Sequence, residues 1–353
     1  MLRRYLKYIR LVSKKPLLVL RILLNYFRLF IFKEQILRKV DLCLTLRCPC
    51  DCEKCSSAKM LDLERKELTV AEIEKAAADC RKLGAIQLNL TGGEPLLRQD
   101  IFEIIKALKP AQVFISINTT GLLLDKKFIL KLKKARVDMI KMSLDSPLAA
   151  EHDRHRGNPG CFDKVMQNLK LIHEVGGVRS HLSTVTIPEN IRSGKIQEIL
   201  KIAEKYNSTL ALTIPTPAGR WSNNYNNLIN QDDRRILDEL LKHPLVTEDT
   251  DTGYTEVKCP GGTECLYITA YGDIIPCSVL QLSFGNIKDE SLTAIYQKMS
   301  KFPPLKESVT VCKAGEKKDF IDTWLKPVGK ESLFPIDISK HPSFIKEKSG
   351  DKD

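Results

Sequence analysis

Three cysteines, Cys48, Cys52 and Cys55, stand in the spacing C-x3-C-x2-C directly after a β-like run. Thiolates are soft ligands, and three of them can hold three irons of a four-iron, four-sulfur cube while the fourth iron stays open to an outside ligand. The same donors suit zinc when a fourth ligand arrives from elsewhere, and they also occur as buried thiols with no ligand at all. On spacing alone these readings stay open.

Leu44-Thr45-Leu46-Arg47 leads into Cys48, and Asn89-Leu90-Thr91-Gly92-Gly93-Glu94-Pro95 follows further along. Together the two motifs resemble the radical S-adenosylmethionine superfamily, in which a loop after the first barrel strand carries three cluster cysteines. In that family a Gly-Gly-Glu-Pro turn after the second strand meets the methionyl amine. The resemblance implies one [4Fe-4S] cluster with an open iron on Cys48, Cys52 and Cys55, and S-adenosylmethionine as cofactor. It further implies reductive cleavage to a 5′-deoxyadenosyl radical that abstracts hydrogen from a substrate, with a flavodoxin or ferredoxin as reductant. As residues, Gly92 and Gly93 let backbone come close to a ligand, and Glu94 can accept a charge-assisted bond from an ammonium, with Pro95 counted among the cofactor-binding residues by the resemblance.

By the same resemblance, polar residues at later strand ends hold the ribose and methionyl parts of the cofactor: Asn118, Ser143, Asp145 and Thr184. Taken singly, each suits a helix cap or a turn equally well. The chain departs from the family at Lys54, where an aromatic residue often precedes the third cysteine, and at Cys50, where a cysteine is unusual. Cys43, Cys80 and Cys161 read as core residues.

A second cysteine group, Cys259, Cys265, Cys277 and Cys312, includes the spacing C-x12-G-x4-C around Gly272. It is similar to the auxiliary-cluster (SPASM/twitch-like) extension of radical enzymes and implies one auxiliary [4Fe-4S] cluster on these four residues, Cys265 being the least certain ligand. A zinc-stapled small domain is the alternative.

The elements that must position these groups form a βα series. Strand-like runs fall at 39–47, 87–91, 112–118, 137–144, 179–186 and 210–214; helical periodicity falls at 70–82, 99–108, 124–134, 161–175, 192–206 and 231–242. Such alternation predicts a parallel sheet covered by helices, and six units match the partial (β/α)6 TIM-like barrel of the resembling family. The expected class is therefore α/β: an N-terminal amphipathic segment over 1–38, the barrel over 39–245, a small C-terminal iron-sulfur domain over 255–315, and an extension over 316–353. Each motif lies at a strand's C-terminal end, where β/α barrels gather function. A hairpin is expected over 266–276, with a helix over 291–300.

A chain of 353 residues, 43% hydrophobic, can bury a core of this size. Eleven cysteines in clusters, with no ordinary signal peptide, favour metal ligation in a reducing cytoplasm over disulfides. The net charge of +12 is concentrated at the start: nine Lys or Arg precede the first acid, Glu34. That distribution disfavours a nucleic-acid partner. The same stretch is rich in Leu, Ile, Phe and Tyr, and Arg21 and Arg28 interrupt it, so it reads as interfacial helices broken at Pro16 rather than a bilayer span. The expectation is peripheral attachment to the inner face of the cell membrane, with Arg3, Arg4, Lys7, Arg10, Lys14 and Lys15 at anionic headgroups. From that anchor a lipid or isoprenoid-linked substrate is the leading expectation, a peptide or protein maturase the alternative, and a non-enzymatic iron-sulfur or zinc protein the remaining one.

Overall fold

The computed structural model describes residues 14–248, 259–331 and 333–349. Arg3, Arg4, Lys7 and Arg10 lie outside the described residues. The chain enters through helix α1 (Pro16–Ile31), then alternates β1 (Lys39–Thr45), α2 (Val70–Lys82), β2 (Gln87–Gly92), α3 (Ile101–Ala107), β3 (Phe114–Thr119), α4 (Lys126–Lys134) and β4 (Met139–Ser143). Two consecutive helices, α5 (Ala149–Arg156) and α6 (Cys161–Val175), precede β5 (Arg179–Val185). Then come α7 (Pro188–Arg192), α8 (Lys195–Lys205), β6 (Thr209–Thr213), α9 (Gln231–Leu241) and β7 (Val246–Glu248).

Local chemistry sets several of these limits. Thr69 and Glu72 form a reciprocal capping box that starts α2, and Asn230 with Asp233 does the same for α9. The helix expected over 192–206 is two, because the chain turns through Gly194 with φ of 77°. The eight-residue α5 escapes the sequence pattern altogether, since its buried side chains are His152 and His155 rather than an apolar stripe.

The sheet has nine strands in the order β7-β6-β5-β4-β3-β2-β1-β8-β9, where β8 is Cys265–Ile268 and β9 is Ile274–Ile275. All neighbours are parallel except β8 and β9, the expected hairpin through Gly272. Six strands were expected, and the sheet is extended at both edges. The C-terminal domain is continuous with the barrel, because β8 pairs in parallel with β1, Lys39 opposite Cys265. An uncovered β1 would present a row of unpaired backbone groups, which β8 satisfies.

Along the strands, one face packs on the helices through residues such as Leu42, Leu90, Ile117, Met142, Leu182 and Leu212. Period-2 alternation then turns the intervening residues to the barrel lumen, and most of these are polar: Asp41 accepts from Asn89 Nδ2 at 2.8 Å, and Ser116 donates to Asn89 Oδ1 at 2.8 Å. Fully covered parallel strands normally run apolar on both faces. A polar lumen marks this barrel as a site rather than a filled core.

Beyond β10 (Leu282–Ser283), the small domain contains α10 (Leu292–Ser300), α11 (Pro303–Lys306), α12 (Lys313–Glu316) and α13 (Lys318–Trp324). The extension after 316 packs on the small domain. Its strand β11 (Ile336–Asp337) pairs in parallel with β10, and α14 (Pro342–Ser349) brings Phe344 to Phe302, whose ring also meets Trp324 edge-on at 5.1 Å.

The described part of the N-terminal segment packs on the barrel. Pro16 begins α1, where its missing N–H costs nothing, and one face of the helix lies on the barrel. Leu18 and Ile22 pack with Ile36 and Ile86. Lys15, expected at headgroups, is buried: its ammonium donates to the Val113 carbonyl at 2.9 Å and pairs with Asp138 at 2.5 Å. Among the described residues, no helix is long and apolar enough to cross a membrane.

Candidate active site at the strand ends

The three cysteines ride on the loop that leaves β1, and several elements fix that loop. Asp51 N–H donates to the Arg156 carbonyl at 3.0 Å, Asn158 Nδ2 to the Pro49 carbonyl at 2.9 Å, and Arg220 N–H to the Cys55 carbonyl at 3.1 Å. Gln281, in the small domain, donates to the Ser56 carbonyl at 2.6 Å. All three thiols are free; Cys48 is exposed, Cys52 and Cys55 half-buried.

Below the loop sits an ion cluster. Asp145, expected at the cofactor, has a side chain 1% exposed and is engaged by Lys54 Nζ at 2.7 Å and by Arg156 Nη2. Burial pushes its carboxyl up, but Arg156 and Lys54 outweigh that and hold it below the usual carboxylate range. Lys54 therefore fills the family's aromatic position as an ion-pair anchor between Cys52 and Cys55. Arg156, from the unforeseen α5, also donates from Nη1 to Cys52 Sγ at 3.7 Å. The neighbouring Cys50 thiol and then Arg156 draw the Cys52 thiol down, against burial, to about 6. A run of charged residues and two histidines at 151–156 was the available signal.

The Gly-Gly-Glu-Pro turn is assembled for the protein's own backbone. Gly92 has φ of 149°, and a Cβ there would stand 2.1 Å from the Thr45 carbonyl oxygen; one on Gly93 would stand 2.4 Å from that of Arg47. The glycines are needed because the turn packs on the chain entering the cysteine loop, with Gly93 N–H donating to Thr45 O and Glu94 N–H to Arg47 O, both at 2.8 Å. Glu94, expected to meet an ammonium, is fully buried, and its carboxylate accepts from Leu96 N, Thr119 Oγ1, Thr120 N and Thr120 Oγ1 at 2.7 to 3.1 Å. Its place is that of a keystone joining β2 to β3. Pro95 is buried behind it, opening a short 3-10 turn. Gly92→Ala is expected to destabilise the metal-free protein by about 1–3 kcal/mol through forced backbone movement; an unchanged denaturant midpoint would remove this explanation of the motif.

Asn118 and Ser143 are half-buried on the lumen side, and Asn118 Oδ1 is buried with no protein partner. Thr184 is fully buried. It shares a strand face with Leu182, which packs on the helices, so alternation sets Ser183 toward the lumen instead. Ser183 Oγ lies 3.2 Å from Thr213 Oγ1.

In the small domain, Cys259 N–H donates to the Val309 carbonyl at 2.8 Å, which draws the first cysteine toward the segment carrying Cys312. A side chain on Gly261 would touch Cys259 Sγ and Cys277 Cβ at 3.9 and 3.8 Å, so these two flank one small gap. Burial and then the nearby Cys259 and Cys277 push the Cys312 thiol up. Cys265 lies on β8, near enough to Cys277 to feel its charge, with its sulfur 3.8 Å from Asp41 Oδ2. Cys43 and Cys80 are fully buried, their thiols pushed up to about 12, as expected of core residues. Cys161 is buried too, its sulfur 3.7 Å from that of Cys50.

The donor sets fit iron-sulfur clusters. Each offers three soft thiols, the first backed by a cation and the orphaned Asn118 oxygen across the lumen.

Comparison with known proteins gives the same answer. A family model for the radical SAM superfamily matches residues 42–207, and one for an iron-sulfur cluster-binding domain, SPASM, matches 259–314. An AdoMet-dependent heme synthase of Methanosarcina barkeri is 24% identical over 293 residues, covering 75% of this chain and 83% of the relative. A PqqA peptide cyclase of Granulibacter bethesdensis is 26% identical over 276 residues, 72% of each. Streptococcus suis SuiB, solved with its precursor peptide SuiA, superposes with a TM-score of 0.61 at 16% identity, covering 76% of this chain and 67% of that one.

Polar lumen, cysteine loop and glycine turn thus define a radical-enzyme barrel, and the chain belongs to the radical S-adenosylmethionine superfamily. Within it, this is an enzyme of the SPASM type, using S-adenosylmethionine, a [4Fe-4S] cluster and auxiliary iron-sulfur. The non-enzymatic reading falls with that assignment.

Proposed function

We propose that this enzyme modifies a peptide or protein, drawing the target chain into the polar lumen above β2 to β6. The observation that carries the reading is the lining at the mouth: Thr91, Asn118, Lys141, Ser143, Ser183 and Thr213 are all polar and half-buried. Such a surface can pair with peptide amides and polar side chains. An isoprenoid or acyl tail would instead strand those groups without partners. The peptide-acting relatives support the same reading, and the lipid substrate expected from the sequence loses its ground.

When bound, the reduced cluster and S-adenosylmethionine supply the hydrogen-abstracting 5′-deoxyadenosyl radical. The protein's part is positional. Cys48, Cys52 and Cys55 hold the first cluster; Glu94 fixes the turn beside it; Asn118 and Ser143 offer polar contacts to the cofactor. Cys259, Cys277 and Cys312 hold one auxiliary cluster, with Cys265 the candidate for a fourth ligand. A flavodoxin or ferredoxin supplies the electron. Peripheral attachment through α1 is compatible with this reading but not required by it.

The test uses cells that carry the gene, grown in deuterated medium and fractionated into peptides and lipids. With anaerobically reconstituted, reduced enzyme, deuterium should enter 5′-deoxyadenosine from the peptide fraction. Transfer from the lipid fraction alone would overturn the proposal.

A further inference from the structure

Helix α1 is amphipathic in the reverse sense for a surface helix. Its polar residues face the protein: Arg21 Nη2 donates to the Arg81 carbonyl at 2.6 Å, Asn25 Nδ2 to that of Gly84 at 2.6 Å, and Arg28 to that of Lys82 at 3.3 Å. On the opposite arc, Leu20, Leu24, Phe27 and Ile31 form one row at helical spacing, flanked by Leu23 and Phe30. All six are 51–62% exposed, and no charged residue interrupts them. Soluble proteins rarely expose a contiguous apolar ridge of this kind without a partner for it.

The rim of the ridge says what the partner is. Lys14 is exposed at its N-terminal end, with Arg136 beside it donating to the Lys14 carbonyl at 3.2 Å. Lys33 is exposed at the other end, next to Phe32, and the first neighbouring acid, Glu34, is occupied by Arg28. In sequence, residues 1–13 add four cations and no acid. A second copy of the chain would bring cationic ends against cationic ends. An anionic lipid surface accepts both the apolar side chains and the rim.

We propose that α1 docks the enzyme in the plane of an anionic membrane surface, with the mouth of the barrel turned away from it. The orientation follows from where α1 is tied down. Its anchors are Gly84 and Ala85 before β2, Val113 before β3 and Asp138 before β4, all at the N-terminal ends of the strands. The cysteine loop and the glycine turn lie at the C-terminal ends. Docking therefore holds the enzyme on the membrane and leaves substrate entry to the aqueous side.

The experiment is sedimentation of the full-length, cluster-loaded protein with vesicles of phosphatidylglycerol and phosphatidylcholine, and of phosphatidylcholine alone. The parent should pellet with the anionic vesicles, and the double variant Leu24→Asp, Phe27→Asp should bind about tenfold less or weaker. S-adenosylmethionine cleavage should be equal in the two proteins, which separates this proposal from the substrate reading. Hydrogen exchange on the vesicles should protect residues 16–32 and leave 46–57 unchanged; protection of 46–57 instead would overturn the orientation. Absent binding, or equal binding by the variant, would overturn the docking. A dimer in vesicle-free solution that the same variant dissolves would assign the ridge to a second copy. Vesicle binding that appears only after deletion of residues 1–13 would assign it to that segment.

Discussion

Replacing Cys48, Cys52 and Cys55 together by Ala should reduce 5′-deoxyadenosine formation to background and lower bound iron by about four atoms per chain, the content of one cube. The auxiliary iron should survive. The cysteine loop and the Cys259, Cys277, Cys312 group stand on different elements, joined chiefly through the β1 to β8 pairing and the bond from Gln281 to Ser56. The triple variant removes thiols that are exposed or half-buried and leaves the backbone bonds of the loop intact. Iron analysis and the visible spectrum of the reduced and oxidised protein measure the two sets separately. Cleavage that persists in the triple variant would defeat the assignment of the first cluster. Loss of all iron would show that the two sets do not load independently.

The parts of this enzyme that were legible in its sequence are those written locally. Helix α2 runs over the residues its periodicity marks, 70–82, because a capping box and an apolar face at Ile73, Ala76, Ala77 and Cys80 agree. The cysteine loop and the glycine turn were legible for the same reason, since each motif is one contiguous stretch. What the sequence could not display was pairing between distant segments. Nothing near 265 announces that β8 will lie against β1, and nothing near 336 announces a partner at 282.

The sequence also could not display which way a side chain is turned. Asp145 and Glu94 have the chemistry of cofactor contacts, yet each is surrounded by donors from its own fold. Thr184 differs from Ser183 only by one step of strand alternation, and that step changes the layer it enters. Helix α5 was invisible for the opposite reason, because its buried side chains are ionisable and leave no apolar period. Its Arg156 is nevertheless the residue that ties the Cys52 thiol to the barrel.

That tie yields the second large effect. Asp145→Ala should destabilise the metal-free protein by about 3–5 kcal/mol, because it leaves Lys54 and Arg156 as buried cations without their counterion. Their side chains are 5% and 15% exposed in the folded chain, so neither cation is well solvated once the carboxylate is gone. Denaturant unfolding of apo protein reads this without reference to cluster loading, and an unchanged midpoint would reject the ion cluster as the anchor. A triple variant, Lys54→Met, Asp145→Leu, Arg156→Met, separates charge from packing. It removes all three charges at similar volume and should recover most of the lost stability, as buried ion clusters exchanged for apolar groups commonly do. It should still load iron poorly at the first site, since Cys52 Sγ loses the Arg156 donor at 3.7 Å and the loop loses the anchor between its second and third cysteines. Stability recovered together with full iron loading would show that the cluster of charges only fills space. Stability recovered without it would place Asp145, Lys54 and Arg156 among the residues that position the thiols.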